Sequence, residues 1–187
     1  KNIALEHRLS NDEWIISRTG ITQRFIAEKK ELTSDLAIIA GKKAIKKAGI
    51  KSNDIDYIIL ATTTPDQTFP STACKVQASL KIGNTPSFDI QAVCSGFIYS
   101  LQLADSLIKS NKAKNILVIG AETLSKIVDW DDRRTCVLFG DGAGAVIIKA
   151  ENTKDQQGIL SANLFSDGSW HDSLYADGGP SLDQKVG

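Results

Sequence analysis

Cys94 is the residue of this chain best placed for covalent chemistry. Phe88 to Val93 reads as a short buried strand, and Phe97, Leu101, Ala104 and Leu107/Ile108 then recur at helical spacing as far as Lys109. Cys94 thus falls at or near the first turn of a helix, where backbone N–H groups lack partners and the dipole is positive. Such positions favour thiolate over thiol, and thiolate is the nucleophile. Gly96 leaves room for a substrate beside the sulfur. The competing reading is a small buried hydrophobe, the usual fate of a free cysteine.

The elements that must hold this turn alternate along the chain. Asn11–Ser17 is expected to be a short helix, followed by a turn at Arg18-Thr19-Gly20 and an extended stretch over 21–27. Thr33–Ala48 reads as a helix with Leu36, Ala37, Ala40, Ala44 and Ile45 as its apolar stripe and Gly49 as its terminator. Asp56–Thr63 is a near-continuous apolar strand, the pattern of a central strand covered on both faces. A helix over 71–80, a strand over 115–120, and further strands over 143–150 and 158–165 complete the series. Strands separated by helices of this length imply an α/β layered fold, with a mostly parallel central sheet and helices on both faces. No internal repeat is visible.

Composition narrows the function. Lys+Arg and Asp+Glu are equal at 22 each, so nothing marks a polyanion-binding protein, and no nucleic-acid partner is expected. With 42% hydrophobic residues over 187, the chain can bury one sizeable core. No apolar run is long enough to span a bilayer. The three cysteines, Cys74, Cys94 and Cys136, show neither close pairing nor metal-type spacing. Their odd number, without a signal peptide, is expected of a reducing cytosol. Gly140-Asp141-Gly142-Ala143-Gly144-Ala145 matches a dinucleotide fingerprint on paper. It leads into the strand-like Ala-Val-Ile-Ile rather than a helix, so it is read as a loop re-entering the sheet.

Several blocks together resemble one family. They are Asp12-Glu13-Trp14-Ile15-Ile16-Ser17-Arg18-Thr19-Gly20-Ile21, Ala61-Thr62-Thr63-Thr64-Pro65-Asp66, Phe69-Pro70-Ser71-Thr72-Ala73-Cys74, Cys94-Ser95-Gly96-Phe97 and Phe139-Gly140-Asp141-Gly142-Ala143-Gly144-Ala145. In order and spacing they resemble the 3-oxoacyl-[acyl-carrier-protein] synthase III family, the initiating condensing enzymes of type II fatty acid synthesis. The resemblance implies a thiolase-like layered α-β-α fold, with residues 1–187 as the first half of a duplicated fold. Residues 151–187 would be a strand plus an insertion leading toward the second half.

By that resemblance Cys94 takes an acyl group, usually acetyl, from coenzyme A as a thioester, with its own N–H in the oxyanion hole. Trp14 and Arg18 match a pair that sandwiches and contacts the adenine, with Thr19 beside them, and Arg133 matches a second arginine of that site. Phe69 matches an aromatic that reaches a partner subunit's acyl pocket, implying a homodimer, and Phe139 matches the surroundings of the cysteine. The implied partners are a coenzyme A thioester, an acyl carrier protein and a second copy of the chain, in the cytoplasm. No metal and no permanently bound cofactor are implied; acetyl-CoA is a substrate. Each residue also has a plainer reading: Trp14 as core, Arg18 and Arg133 as surface charges, Phe69 as loop closure. Cys74 and Cys136 are read as structural, Asp141 as a hydrogen-bonding residue, and His7 and His171 as outside the chemistry.

One feature departs from the family. Its decarboxylation of malonyl-carrier protein uses a histidine and an asparagine from a His-Gln-Ala-Asn motif and an Asn-Thr-Ser motif, and neither motif occurs here. With Lys1 at the start and Val186-Gly187 at a loop-like end, the chain is expected to be part of a longer protein that would condense the acyl group with malonyl-carrier protein. The alternatives are a non-catalytic coenzyme-A-binding or dimerising module, or a relative using another acyl starter.

Overall fold

The computed structural model describes residues 11–152 and 158–186; His7 lies outside them. They form two compact units, one containing 31–122 and 143–165, the other 11–30, 123–142 and 166–186.

The first unit is built on a four-stranded sheet in the order β2-β1-β3-β4, with β1 Tyr57–Ala61, β2 Ser87–Ile90, β3 Asn115–Thr123 and β4 Asp141–Lys149. β1 pairs in parallel with both β2 and β3. Ala150 N donates to Lys114 O at 2.8 Å, so β4 ends beside the start of β3 and runs antiparallel to it. Helices α2 (Thr33–Ala48) and α3 (Thr72–Ser79) cover one face, burying Ala37, Ala44, Ile45, Ala73 and Val76 against Ile58, Leu60, Leu117 and Ile119. Helix α4 (Gly96–Lys109) covers the other, where Ala104 and Leu101 meet Ile59, Ile116 and Val118. Both faces of β1 and β3 are therefore dry, which is why their sequences are unbroken apolar runs. Each fully buried Ile or Leu here contributes about 1.5–3 kcal/mol of burial free energy.

Polar residues tie the element ends. Gly49, at φ +67°, turns the chain out of α2 and donates to Lys46 O at 3.2 Å. Asp89 in β2 accepts from the N–H groups of Thr72 (2.7 Å) and Ala73 (2.8 Å), satisfying the start of α3. Asp66, whose side chain is 1% exposed, accepts from Ser34 N at the start of α2 (3.0 Å) and from Lys75 Nζ in α3 (3.1 Å).

The second unit contains α1 (Asp12–Thr19), started by Asn11, whose side chain accepts from Trp14 N at 2.8 Å, and stopped by Gly20 in the left-handed region. Its small core is Ile15, Cys136 and Val137 with Trp14, Val128 and Trp130 packed around them.

Two expectations need correction. The strand before Cys94 ends at Ile90, not Val93, because the chain there leaves the ladder for a 3-10 turn over Val93–Ser95. Residues 158–165 form no strand, for a strand exists only through a ladder to a neighbour, and none is made there among the described residues. Leu160 and Phe165 are instead 72% and 86% exposed.

Burial alone would raise the Asp66 carboxyl, but the hydrogen bonds from Ser34 and Lys75 outweigh it and hold it below the usual carboxylate range. A carboxylate depressed on folding stabilises the protein above its unfolded value and loses that contribution as pH falls through the folded one. Asp66→Asn is therefore expected to cost about 1 kcal/mol at neutral pH. In thermal melts, the gap to wild type should close as pH falls below about 4.

Candidate active site

The turn carrying Cys94 lies in the unit that holds the sheet, at the C-terminal end of its parallel strands, the edge where open α/β sheets place their ligands. Thr62 N donates to Ile90 O (3.1 Å), closing the ladder, and Ser95 N donates to Ala92 O (3.0 Å), closing the turn. Between them Val93 is held at φ +45°. A β-branched residue in that region is a genuine outlier, costing about 1–3 kcal/mol, and it persists only where its surroundings impose it. Close packing behind the turn does so. Gly96 is buried, and a Cβ there would meet Ala61 Cβ at 3.2 Å; one on Gly120 would meet the Phe97 ring at 3.3 Å. Two glycines thus let the first turn of α4 rest on β1 and β3. Ser100 Oγ, inside that contact, donates to Gly96 O at 2.8 Å.

Cys94 itself is exposed, unlike the other two cysteines. Cys74 is half-buried, with its sulfur 3.1 Å from Ser71 Oγ. Cys136 is buried, and burial first, then the Asp132 and Asp129 carboxylates, push its thiol up. Cys94 alone combines exposure with a place in the 3-10 turn that leads into a long helix. Phe69 belongs to the same unit and is 80% exposed.

The other expected contacts gather in the second unit. Arg133 lies over the Trp14 ring with its guanidinium carbon 3.9 Å from the centroid, and Arg18 approaches the same ring at 5.9 Å. A guanidinium so placed contributes about 0.5–2 kcal/mol. Trp14 also packs on the Ile15–Cys136–Val137 cluster, so it is part core and part half-exposed surface. Arg134, its sequence neighbour's twin, turns outward and binds both oxygens of Asp132. Thr19 Oγ1 donates to Ile15 O (2.8 Å) and accepts from Ile21 N (3.0 Å), so its proton is committed and one lone pair remains. Phe139 is half-buried in this unit.

Asp141 is a structural acceptor, taking Ala27 N (2.7 Å), Ser125 N (2.8 Å) and Ser125 Oγ (2.5 Å). Because it begins β4, the glycine-rich run leads directly into a strand. His171 is exposed and lies 2.8 Å from the equally exposed Asp172.

Periodicity gives no sign of one further polar group. Glu122, just beyond the core of β3, accepts from Thr63 N (2.8 Å) and Thr64 Oγ1 (2.6 Å). Thr63 Oγ1 in turn accepts from Gln91 Nε2 (3.2 Å), three residues before Cys94. The only hint in sequence is that three threonines follow an apolar strand.

Known proteins resemble this chain in sequence and in fold. The family model for 3-oxoacyl-[acyl-carrier-protein (ACP)] synthase III matches residues 88–168, which include the Cys94 turn. The beta-ketoacyl-[acyl-carrier-protein] synthase III of Ehrlichia canis is 57% identical over 178 residues, and that of Erythrobacter litoralis 58% over 179. Each alignment covers 95% of this chain and 56% of the relative, so the chain spans about half the length of the curated relatives it matches. Among solved structures, the 3-oxoacyl-[acyl-carrier-protein] synthase III of Aquifex aeolicus superposes with a TM-score of 0.85 at 54% identity, over 90% of this chain and 54% of that one. The enzyme of Pseudomonas aeruginosa superposes with a TM-score of 0.86 at 37% identity, over 95% and 55%. By sequence and by fold, the chain matches about half the length of proteins of the 3-oxoacyl-[acyl-carrier-protein] synthase III family and shares their layered α/β architecture.

Proposed function

We propose that the protein starts fatty acid chains, with Cys94 carrying the acyl group between coenzyme A and an acyl carrier protein. The observation that carries this reading is an exposed cysteine on the turn between β2 and α4, in a chain whose relatives are named as beta-ketoacyl-[acyl-carrier-protein] synthase III. The Cys94 thiolate attacks the thioester carbonyl of acetyl-CoA. The negative oxygen of the tetrahedral intermediate is stabilised by N–H groups at the turn, Cys94's own among them. Collapse expels the coenzyme A thiolate and leaves an acetyl thioester on the protein.

Trp14 and Arg133 supply a flat indole and a flat guanidinium for the adenine ring, with Arg18 beside them. Thr19 offers its remaining lone pair, which suits the exocyclic amine as donor. Phe69, exposed on the sheet unit, reaches the acyl pocket of a second copy in a homodimer, and Phe139 lines the surroundings of the cysteine. Condensation then requires malonyl-carrier protein, whose loss of carbon dioxide supplies the carbanion that displaces Cys94. The histidine and asparagine for that step belong to motifs outside this sequence, so condensation is proposed for the whole protein. The reaction takes place in the cytoplasm; no helix of the described residues is long and apolar enough to cross a membrane.

Incubation with acetyl-CoA, followed by intact-mass measurement and peptide mapping, should find one acetyl group on the Cys94 peptide. Cys94→Ala should carry none and should lack condensation, and normal turnover by that variant would overturn the proposal. Trp14→Ala is expected to raise the KM for acetyl-CoA about tenfold with little change in kcat, the signature of lost uniform binding. Iodoacetamide should alkylate Cys94 well ahead of the buried Cys136, with quantitative peptide mapping as the readout.

A further inference from the structure

We propose that Glu122 is a positioning residue for Cys94, acting through Thr63 and Gln91. The proposal rests on Cys94 being the nucleophile. Along β3, Ile116 and Val118 pack on the side of the sheet that α4 covers, and Gly120 meets Phe97 of α4 there. Side chains alternate along a strand, so Glu122 faces the same side, one step beyond the glycine. The edge of the sheet it reaches is the one from which the Cys94 turn leaves β2.

The hydrogen-bond directions are determined by the donors. Thr33 Oγ1 gives its proton to Thr64 O at 2.6 Å, which leaves the Thr64 hydroxyl proton for Glu122. Thr63 N–H can only donate, and it does so to the other carboxylate oxygen. Both oxygens therefore accept, an arrangement that suits an ionised carboxylate. Thr63, pinned by its N–H, presents its hydroxyl to the Gln91 amide. Gln91 begins the three-residue segment that ends at the strained Val93. Gly96 on Ala61 holds the turn from the helix side; the Gln91–Thr63–Glu122 chain holds it from the strand side. Small displacements of a nucleophile are costly, since a misplacement of about 1 Å can lower a rate by up to about a hundredfold.

Glu122 has no ion pair among the described residues; the groups against it are Thr62, Thr63 and Thr64. Burial is the largest influence and exceeds those hydrogen bonds, so its carboxyl lies above the usual carboxylate range. The folded state therefore binds this proton more tightly than the unfolded state. Stability falls as pH rises through the window from the ordinary value to the raised one, and stays lower above it.

The test compares wild type, Glu122→Gln and the exposed Gln91→Ala, together with their double variant, in the whole protein. Acetylation of Cys94 by acetyl-CoA and its alkylation by iodoacetamide are followed, with thermal melts alongside. Glu122→Gln is expected to slow acetylation about tenfold with KM unchanged. Thermal melts at the same pH separate a loss of fold from a loss of positioning. Gln91→Ala should reproduce the slowing, and the double variant should be no slower than either single one, as for residues acting in one chain. Wild-type rates in Glu122→Gln, additive losses, or slowing that tracks a lowered melting temperature would each overturn the inference. Wild type that is alkylated but never acetylated at Cys94 would instead overturn the nucleophile on which it rests.

Discussion

The distance between the sheet and the helix after Cys94 is set by one contact, Gly96 against Ala61. A larger residue on either side would lift the first turn of α4 off β1, and with it the backbone that presents the sulfur. Gly120 against Phe97 repeats the arrangement on β3, so the helix is seated on two parallel strands at once. Close-packed interiors transmit such displacements because they have little free volume to absorb them. Residues with no chemistry of their own therefore decide where Cys94 stands.

That seat also explains how a strained residue survives beside Cys94. Val93 in the left-handed region is unfavourable by an amount similar to one good buried side chain. Ladder bonds end at Ile90 and helix bonds begin beyond Ser95, so the intervening residues gain little from regular structure. Packing from Gly96 and polar contacts from Gln91 close the interval from its two ends. The strain is concentrated at the turn, while the strands behind it keep ordinary geometry.

The second unit solves a different problem. A half-exposed indole must be held at the surface of a small core. Ile15, Cys136 and Val137 support Trp14, while Arg133 lies across its ring. The guanidinium carbon sits 3.9 Å from the ring centroid, so it is the flat charged group that covers the indole. Asp132 takes the neighbouring Arg134 out of competition by binding it through two oxygens.

Much of this was legible in the order of residues. Thr33–Ala48 has the observed helix limits because an apolar stripe of period 3.6 ends at a glycine. The run Tyr57–Ala61 announced a strand covered on both faces, and the switch from apolar run to helical spacing located the Cys94 turn. These are local signals, carried by neighbours in sequence. Tertiary structure decided the rest. Residues 158–165 have the composition of a strand, yet pairing needs an available edge, and no sequence window contains its partner. Arg133 and Arg134 are identical in type, and composition cannot tell them apart; only packing on Trp14 and pairing with Asp132 separate their directions. Glu122 and Gln91 lie far apart in sequence, and what links them is Thr63, brought between them by strand register. The sequence by itself determined the elements and the reactive turn, because propensity and periodicity act over a few residues. Only the tertiary structure decided which polar groups support that turn, because those bonds depend on how the strands are aligned.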